Sequence, residues 1–459
     1  MTVDLAVSGG TIVTPEGTFN GTLLVNDEQI AGTVSPDTAV KAKSVVNVDG
    51  SLVMPGVVDP HVHVAGPNTM DTYESGSRAA ALGGVTSFIS FAWQAWESPD
   101  TPWAEPGTLR DAVDRKYAAA ESSLIDFGVH ATITQEDQAT LDELEALVDQ
   151  GVVSFKMFTA YEFGLGNGFI EQVFDELAAL GAVAALHTED PDVCDAREAE
   201  MRKAGRSAPS DYPDSRPPHA EAMAADSAIR MAKNAGVKYY GIHTSCRESA
   251  EVIESAQTDK SLVRGETCVH YTTLDRDIYE RLGTLPMLAP PLRLPDDRES
   301  MFEHLSKETL DVVSTDHVAF TREAKQTEQW WDSEFGSNSI QRSLPVFHDE
   351  AVVRRGVSYP KLVELMCTNP ARLFGLTGKG TLKPGTDADF VVFDPDTTQT
   401  ITGDDNASKA DYSIYEGREV TGQVERTYLR GECIAAEGEI RGESGTGELI
   451  DRTVPDWSR

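Results

Sequence analysis

The chain has 459 residues, of which 75 are acidic and 39 basic, and its formal net charge is −36. The hydrophobic share of 40% and the aromatic share of 7% are typical of a folded globular protein, and no apolar run approaches the roughly 20 residues that a membrane helix needs. Charge of this sign repels nucleic acids and anionic membrane surfaces, so we expect neither as a partner.

The first fifty residues predict short strands. Residues 5–13 and 22–30 are strand-like runs interrupted by Gly-Gly and Asn-Asp turns, and a third strand is predicted near residues 45–48. Three such strands are too few to form a stable domain alone. We therefore expect them to pack against another part of the chain.

The middle of the chain alternates short apolar, β-branched runs with segments of helical periodicity. The segments with apolar residues at three- and four-residue spacing include 109–121, 141–148, 170–180 and 220–234. The predicted strands number eight, at residues 53–63, 85–92, 127–132, 152–158, 183–187, 239–243, 262–268 and 310–316. Eight strands with helical crossovers predict a (β/α)8 barrel of the α/β class over residues 53–377.

The C-terminal part supplies further strands within residues 380–394 and 424–433. Both ends of the chain are therefore expected to combine into one β-sandwich domain, formed by residues 1–52 and 378–440. Residues 441–459 are rich in glycine and acidic residues. We expect this tail to be mobile or to pack on a neighbouring subunit.

Three further features concern the environment of the protein. The N-terminus lacks a basic stretch followed by an apolar core, which predicts a cytoplasmic protein without a secretory signal. The five cysteines are widely spaced without a Cys-x-x-Cys pair, which favours free thiols over a disulfide framework or a zinc finger. The acidic residues are spread along the chain, which favours a halophilic protein, because molar salt shortens the Debye length to about 3 Å.

Potential metal ligands stand at the ends of four predicted barrel strands. The ends of parallel barrel strands and the loops after them line one face, where active sites lie. Side chains alternate along a strand, so His61 and His63 should point the same way and hold one ion together. His187, His243 and Asp316 end three other strands. This convergence predicts a metal centre at the mouth of the barrel.

Lys156, in the fourth predicted strand, lies at the same end of the barrel. An ammonium group there would repel the metal ions and offers them no acceptor atom. Carboxylation by carbon dioxide would turn the amine into an anionic carbamate, whose two oxygens suit a bridge between two ions. The alternative is a lysine whose side chain reaches solvent.

Taken together, these segments resemble the dihydropyrimidinase and hydantoinase branch of the amidohydrolase superfamily, from about residue 5 to residue 433. The segments that carry the resemblance are 55–63 (PGVVDPHVH), 155–161 (FKMFTAY), 186–189 (LHTE), 215–218 (SRPP), 242–246 (IHTSC), 265–268 (GETC), 289–293 (APPLR), 314–317 (STDH) and 415–417 (YEG). The resemblance implies a cyclic amidohydrolase that opens a small cyclic amide or imide, and it implies a homotetramer.

The resemblance also assigns roles residue by residue. It implies two Zn²⁺ ions bridged by carboxylated Lys156. One ion would be held by His61, His63, Lys156 and Asp316, and the other by Lys156, His187 and His243. Asp316 would also be the catalytic proton shuttle, and Tyr161 would bind the substrate and donate a hydrogen bond to the developing oxyanion.

Two positions depart from the pattern of the family. Ala289 stands where the family usually has serine, and Asn338 lies in residues 336–341 (GSNSIQ), where the family usually continues with glycine and glutamate. In the family both positions bind the substrate ring through main-chain groups, so an alanine can be tolerated, but the replacements can change the shape of the pocket. The sequence does not determine the substituent on the ring. His270 is unusual and is expected to be structural. His317 should face away from Asp316 and make an outer-shell hydrogen bond.

Three alternative functions were weighed against this one. An allantoinase would share the fold and the metal chemistry, although the segment around Tyr161 favours hydantoin and dihydropyrimidine rings. A dihydroorotase would carry an arginine after the His-x-His pair, where this chain has Val64. A non-catalytic assembly protein of the same fold would have lost ligands, whereas all six ligand positions are present.

Overall fold

The structure is a computed structural model, and it describes residues 2–95, 107–257 and 262–458. Its strands are Val3–Ser8 (β1), Thr11–Thr14 (β2), Gly17–Asn20 (β3), Thr22–Asn26 (β4), Gln29–Val34 (β5), Ala42–Asn47 (β6), Leu52–Pro55 (β7), Val57–Val62 (β8), Val85–Trp93 (β9), Asp126–Thr132 (β10), Ser154–Phe158 (β11), Val183–His187 (β12), Lys238–Gly241 (β13), Val263–Cys268 (β14), Val312–Ser314 (β15), Phe390–Thr400 (β16), Glu419–Leu429 (β17), Glu432–Ala436 (β18) and Glu439–Ile440 (β19).

The α-helices are Tyr73–Leu82 (α1), Leu109–Ala119 (α2), Gln138–Asp149 (α3), Asn167–Leu180 (α4), Pro191–Ala204 (α5), Pro218–Ala235 (α6), Arg247–Ala256 (α7), Val269–Thr273 (α8), Ile278–Leu282 (α9), Pro295–Ser306 (α10), Arg322–Lys325 (α11), Ser343–Phe347 (α12), Tyr359–Val363 (α13) and Asn369–Leu373 (α14). Ala120–Ser122, Pro209–Ser215, Trp330–Asp332 and Ile340–Arg342 form 3-10 turns, and His348–Arg354 and Glu364–Thr368 are π-helical.

Local sequence explains where several of these helices begin and end. The Asp137 side chain accepts a hydrogen bond from the Thr140 amide and so satisfies one of the free N–H groups at the start of α3. Gly181 and Gly236 end α4 and α6 with φ angles of 67° and 77°, a left-handed conformation that glycine adopts at little cost.

The eight strands β8 to β15 form one parallel sheet in chain order. The sheet closes through a parallel bridge between Val62 and His317, supported by a hydrogen bond of 2.8 Å from the His63 amide to the His317 carbonyl. The predicted (β/α)8 barrel is therefore confirmed. Its closure brings the ends of the first and last strands together.

The two ends of the chain also combine as predicted. A seven-stranded sheet joins β2, β3 and β7 to β16–β19, and a four-stranded sheet contains β1 and β4–β6. An apolar cluster lies between them and includes Leu23 and Val25 from one end of the chain and Phe390 and Val392 from the other. This is the β-sandwich; the exact domain boundaries stay a prediction.

The first predicted barrel strand is split in two. Residues 53–63 were expected to be continuous, but β7 pairs with β16 in the sandwich, and β8 starts the barrel after Gly56. A Cβ atom at Gly56 would lie 2.1 Å from the Thr86 hydroxyl oxygen, so only glycine fits this crossing. Both segments are apolar, so the sequence gives no sign of the break between β7 and β8.

The C-terminal tail is packed on its own chain, which contradicts the expectation that it is mobile. Residues 449 and 452 form bridges with Phe127 and Leu376 of their own chain, and Trp457 is only 1% exposed. Arg452 donates hydrogen bonds to the carbonyls of Val129 and Phe374 at 2.6 and 3.0 Å. These apolar and buried contacts hold the tail against its own barrel.

The structure also bears on the expectations about membrane helices and cysteines. Within residues 2–95, 107–257 and 262–458, no helix is long and apolar enough to cross a membrane. The five cysteines are unpaired, and all except Cys433 are buried.

Candidate metal centre

His61, His63 and Asp316 meet at the closure of the barrel. The His61 Nε2 and His63 Nε2 atoms lie 3.0 and 3.1 Å from the same oxygen, Oδ1 of Asp316. One ligand atom from each residue lies within 4.8 Å of the others, a grouping that fits a single metal ion. The alternation of side chains along β8 thus places both imidazoles as the sequence suggests.

His187 and His243 form a second group beside the first. The Nδ1 atom of His187 lies 2.8 Å from the Nε2 atom of His243, and both side chains are buried. The rings of His61 and His243 are 5.5 Å apart, so the two groups share one site. Four histidines from three places in the sequence therefore converge.

Lys156 lies on β11 between these groups and is 1% exposed, which excludes a side chain that reaches solvent. Its Nζ atom is 5.2 and 4.4 Å from the ring centres of Phe91 and Phe158. Burial lowers the pKa of Lys156 to about 7, although Asp316 and Glu266 oppose the shift. The amine is thus unusually ready to lose its proton.

Three polar side chains orient the candidate ligands from behind, and none was found from the sequence. Glu266 Oε1 accepts from His61 Nδ1 at 2.6 Å, and Glu189 Oε2 accepts from His187 Nε2 at 2.9 Å. Because each carboxylate binds the protonated ring nitrogen, the other nitrogen of the ring is unprotonated and its lone pair faces the site. Asn68 completes the set, as its amide lies 3.2 Å from His63 Nδ1.

The orientation of the Asn68 amide follows from this chemistry. Its Nδ2 atom faces His63 Nδ1, while its Oδ1 atom is buried without a hydrogen-bond partner. Turning the amide by 180° would let Oδ1 accept the Nδ1 proton and leave His63 Nε2 free for a metal ion. The turned amide gives the Nδ1 proton of His63 an acceptor and is the orientation that we assign.

Charge and backbone conformation also distinguish the site. Burial opposes ionisation of Asp316, but His61 and His63 hold the pKa of its carboxyl group well below the usual range. Asp316, His243 and Tyr161 have φ angles of 46°, 40° and 72°, in the left-handed region that costs a non-glycine residue roughly 1–3 kcal/mol. Such strain clusters at functional sites.

A cavity of about 570 Å³ opens over the candidate ligands. Its walls include all six of them together with Tyr161 and Ala289, and Tyr161 is 37% exposed. Trp93, Phe158 and Phe163 form an apolar wall, with neighbouring ring centres 5.3 and 5.0 Å apart. The cavity therefore offers an apolar wall beside a polar floor.

Asn338 is not among the residues that line this cavity. Its side chain is 4% exposed and donates a hydrogen bond to the Tyr412 carbonyl. Only its main chain could then contact a substrate. Neighbouring Gly336 does line the cavity.

His317 and His270 lie outside the site, as expected, but the hydrogen-bond partners of His317 are not candidate metal ligands, so the expected outer-shell role was wrong. His317 faces away from the site, because its Nε2 atom bonds to Asp71 at 2.9 Å and its Nδ1 atom accepts from the Ser339 amide at 3.2 Å. His270 is fully buried and does not line the cavity.

A second cluster of acidic groups lies away from this site. Asp126, Asp387 and Asp389 converge closely enough to suit a cation. The Lys379 ammonium already lies 2.5 to 2.7 Å from all three. The cluster is therefore an ion-pair network and not a metal site.

The chain is similar to known proteins in both sequence and structure. The profile of the amidohydrolase family matches residues 52–434. The chain is 32% identical to a D-hydantoinase of Streptomyces coelicolor, with 98% of both chains covered, and 33% identical to an allantoinase of Escherichia coli, with 95% of both covered. It superposes on the structure of a dihydropyrimidinase from Brevibacillus agri with a TM-score of 0.92 at 28% identity, covering 98% of this chain and 99% of the other.

Proposed function

The chain belongs to the amidohydrolase family, and on that premise we propose that it hydrolyses the cyclic amide bond of a dihydropyrimidine or hydantoin. We propose that two zinc ions serve the reaction, bridged by carboxylated Lys156. His61, His63 and Asp316 would hold one ion, and His187 and His243 the other. A homotetramer in the cytoplasm remains a prediction from the family resemblance and the sequence.

The environment of Lys156 carries this proposal. Four lysines are buried among the described residues. Lys116 and Lys325 each donate to two main-chain carbonyls, and Lys379 lies among carboxylates. Lys156, in contrast, has only aromatic faces and the candidate ligands around it. A buried amine with no acceptor is costly as an ammonium and is better explained as a carbamate.

Carboxylation of Lys156 needs no reactant other than carbon dioxide. The Nζ lone pair of the neutral amine attacks carbon dioxide, a C–N bond forms, and one electron pair of a C=O bond moves to oxygen. The nitrogen then releases one proton. The product is an anion with two oxygens, and it can face both histidine groups at once.

The residues around the cavity fit the hydrolysis of a cyclic amide. Two bound cations would supply Lewis acidity, which polarises the scissile carbonyl and makes water acidic enough to attack near neutral pH. Asp316 would accept the proton of that water and deliver it to the leaving ring nitrogen. Tyr161 would donate a hydrogen bond to the oxygen that gains charge, a contribution of about 3 kcal/mol in comparable sites.

A substrate panel tests the proposed function. The metal-loaded protein should open the ring of dihydrouracil, hydantoin or 5-substituted hydantoins, with product followed by chromatography. Allantoin belongs in the panel as a second candidate, because the similarity to the Escherichia coli allantoinase covers 95% of the chain. Absence of turnover for every cyclic amide, by protein that carries two ions per chain, would contradict the proposal.

Anionic substrates should be rejected. Arg216 is the one cation besides Lys156 among the described residues that line the cavity, and it is 2.5 Å from Glu189. A carboxylate on the ring would lack a partner, so we expect kcat/KM for dihydroorotate at least about 100-fold below that for the best neutral ring. Comparable values for both substrates would show that Arg216 leaves Glu189 to bind the carboxylate.

Stability and activity should rise with salt up to the molar range. The net charge of −36 is self-repelling, and helix α3 carries exposed Asp142, Glu145 and Asp149 without any basic residue. Screening removes this repulsion, so the thermal unfolding midpoint should increase from dilute buffer to molar sodium chloride. Greatest stability in dilute buffer would refute a halophilic protein and leave the catalytic assignment untouched.

A further inference from the structure

Lys325, at the end of α11, joins two separate segments of the cavity wall. Its side chain is fully buried, and its Nζ atom lies 2.5 Å from the Met287 carbonyl oxygen and 2.7 Å from the Gly336 carbonyl oxygen. Met287 belongs to the connection after β14, and Gly336 to the connection after β15. One amine thus holds two loops that are far apart in sequence.

These two loops meet at the substrate cavity. Ala289 and Gly336 line it, and the Gly336 amide donates to the Met287 carbonyl at 2.8 Å. The next residue, Ser337, accepts a hydrogen bond from the Val318 amide at 2.9 Å, which ties the second loop to the strand end that carries Asp316. The spacing of the two loops therefore depends on a few main-chain contacts and on Lys325.

Burial of Lys325 needs a physical reason. Removal from water disfavours the ammonium and lowers the pKa of Lys325 to about 7. Its two hydrogen-bond acceptors both belong to the loops of the cavity wall. An apolar side chain would fill the same space without this cost. What only the lysine provides is a fixed distance between the two carbonyls.

We propose that Lys325 is a positioning residue for substrate recognition, holding the loop of Ala289 and the loop of Gly336 at the separation that lets this part of the cavity wall contact the ring. The inference rests on the proposed function, because it takes a cyclic amide as the ligand. Lys325 lies behind the wall and does not line the cavity. It therefore acts on binding and not on the chemical step.

The test is Lys325→Met, which keeps most of the side-chain volume and removes both donors. We expect KM for the best ring substrate to rise at least about tenfold, the effect of losing one to two hydrogen bonds, while kcat falls much less. Two metal ions per chain should remain bound. The matched control is Lys238→Met, because Lys238 donates to the Gly181 carbonyl at 2.6 Å at the opposite end of the barrel and should leave KM unchanged.

Hydrogen–deuterium exchange provides a readout that does not depend on activity. Residues 285–293 and 333–339 should exchange faster in Lys325→Met, whereas residues 57–63 should be unchanged. If this variant fails to fold, Lys325→Gln keeps one donor group and should give an intermediate KM.

Two results would overturn the inference. One is an unchanged KM together with unchanged exchange in both loops. The other is a fall in kcat with loss of metal, because that would place the effect at the metal centre. If the wild-type protein opens no ring at all, the proposed function is wrong, and the role of Lys325 in substrate recognition is wrong with it. Hydrogen–deuterium exchange still decides whether Lys325 holds the two loops.

Discussion

Lys156→Ala should abolish turnover and reduce the number of bound metal ions below two per chain. Loss of a single outer-shell partner already costs 10- to 100-fold, so removal of the proposed bridge should lower kcat by more than about 100-fold. The physical reason is that two cations in a buried site repel each other unless an anion lies between them. Metal analysis and single-substrate kinetics on the same preparation check both effects.

Short carboxylic acids separate the bridge from other roles of Lys156. Alanine leaves space in which acetate or propionate can bind, so added acid should restore part of the activity of Lys156→Ala. Lys156→Met is the matched control, because its side chain fills that space and cannot be carboxylated. If the acids restore activity to neither variant, the carbamate bridge is unsupported. A Lys156→Met variant that keeps two ions and wild-type turnover would contradict the bridge.

The barrel and the convergence of the candidate ligands were predictable because they rest on short-range patterns. Strand and helix periodicities differ, so eight alternations were visible along the chain. A parallel barrel brings all strand ends to one face, so residues such as His187 and Asp316 could be placed together without knowing any contact. Alternation along one strand then oriented His61 and His63.

The rest depends on contacts between distant residues, for which the sequence carries no local signal. Glu266 orients His61 from 205 positions away, and Lys325 reaches Met287 from another loop. Glu189 and Glu266 had a usable hint, since both stand in segments that carry the family resemblance. The expectation of a mobile tail was wrong because the polar composition of the tail gives no sign of the apolar contacts of Trp457.

Asp316→Asn should slow turnover while the protein keeps its fold. The amide preserves the size of the side chain and one acceptor oxygen, but it can neither take a proton from water nor pass one to the leaving nitrogen. We therefore expect kcat to fall by at least about 100-fold, within the range typical of general acid–base catalysis. The unusually low pKa of Asp316 reflects its contacts with the His61 and His63 side chains, and these contacts would weaken as well.

Metal content decides how this result is understood, because Asp316 is also a proposed ligand. A slow variant with two ions per chain supports the proton shuttle, whereas a slow variant that has lost an ion reports on binding alone. Asp311→Asn is the matched control: it makes the same change at the opposite end of β15, where Asp311 pairs with Arg264 at 2.7 Å, and should cost stability but not turnover. Near wild-type turnover by fully loaded Asp316→Asn would assign proton transfer to another group. His317 is not that group, since both of its ring nitrogens are already hydrogen-bonded on the far side of the strand.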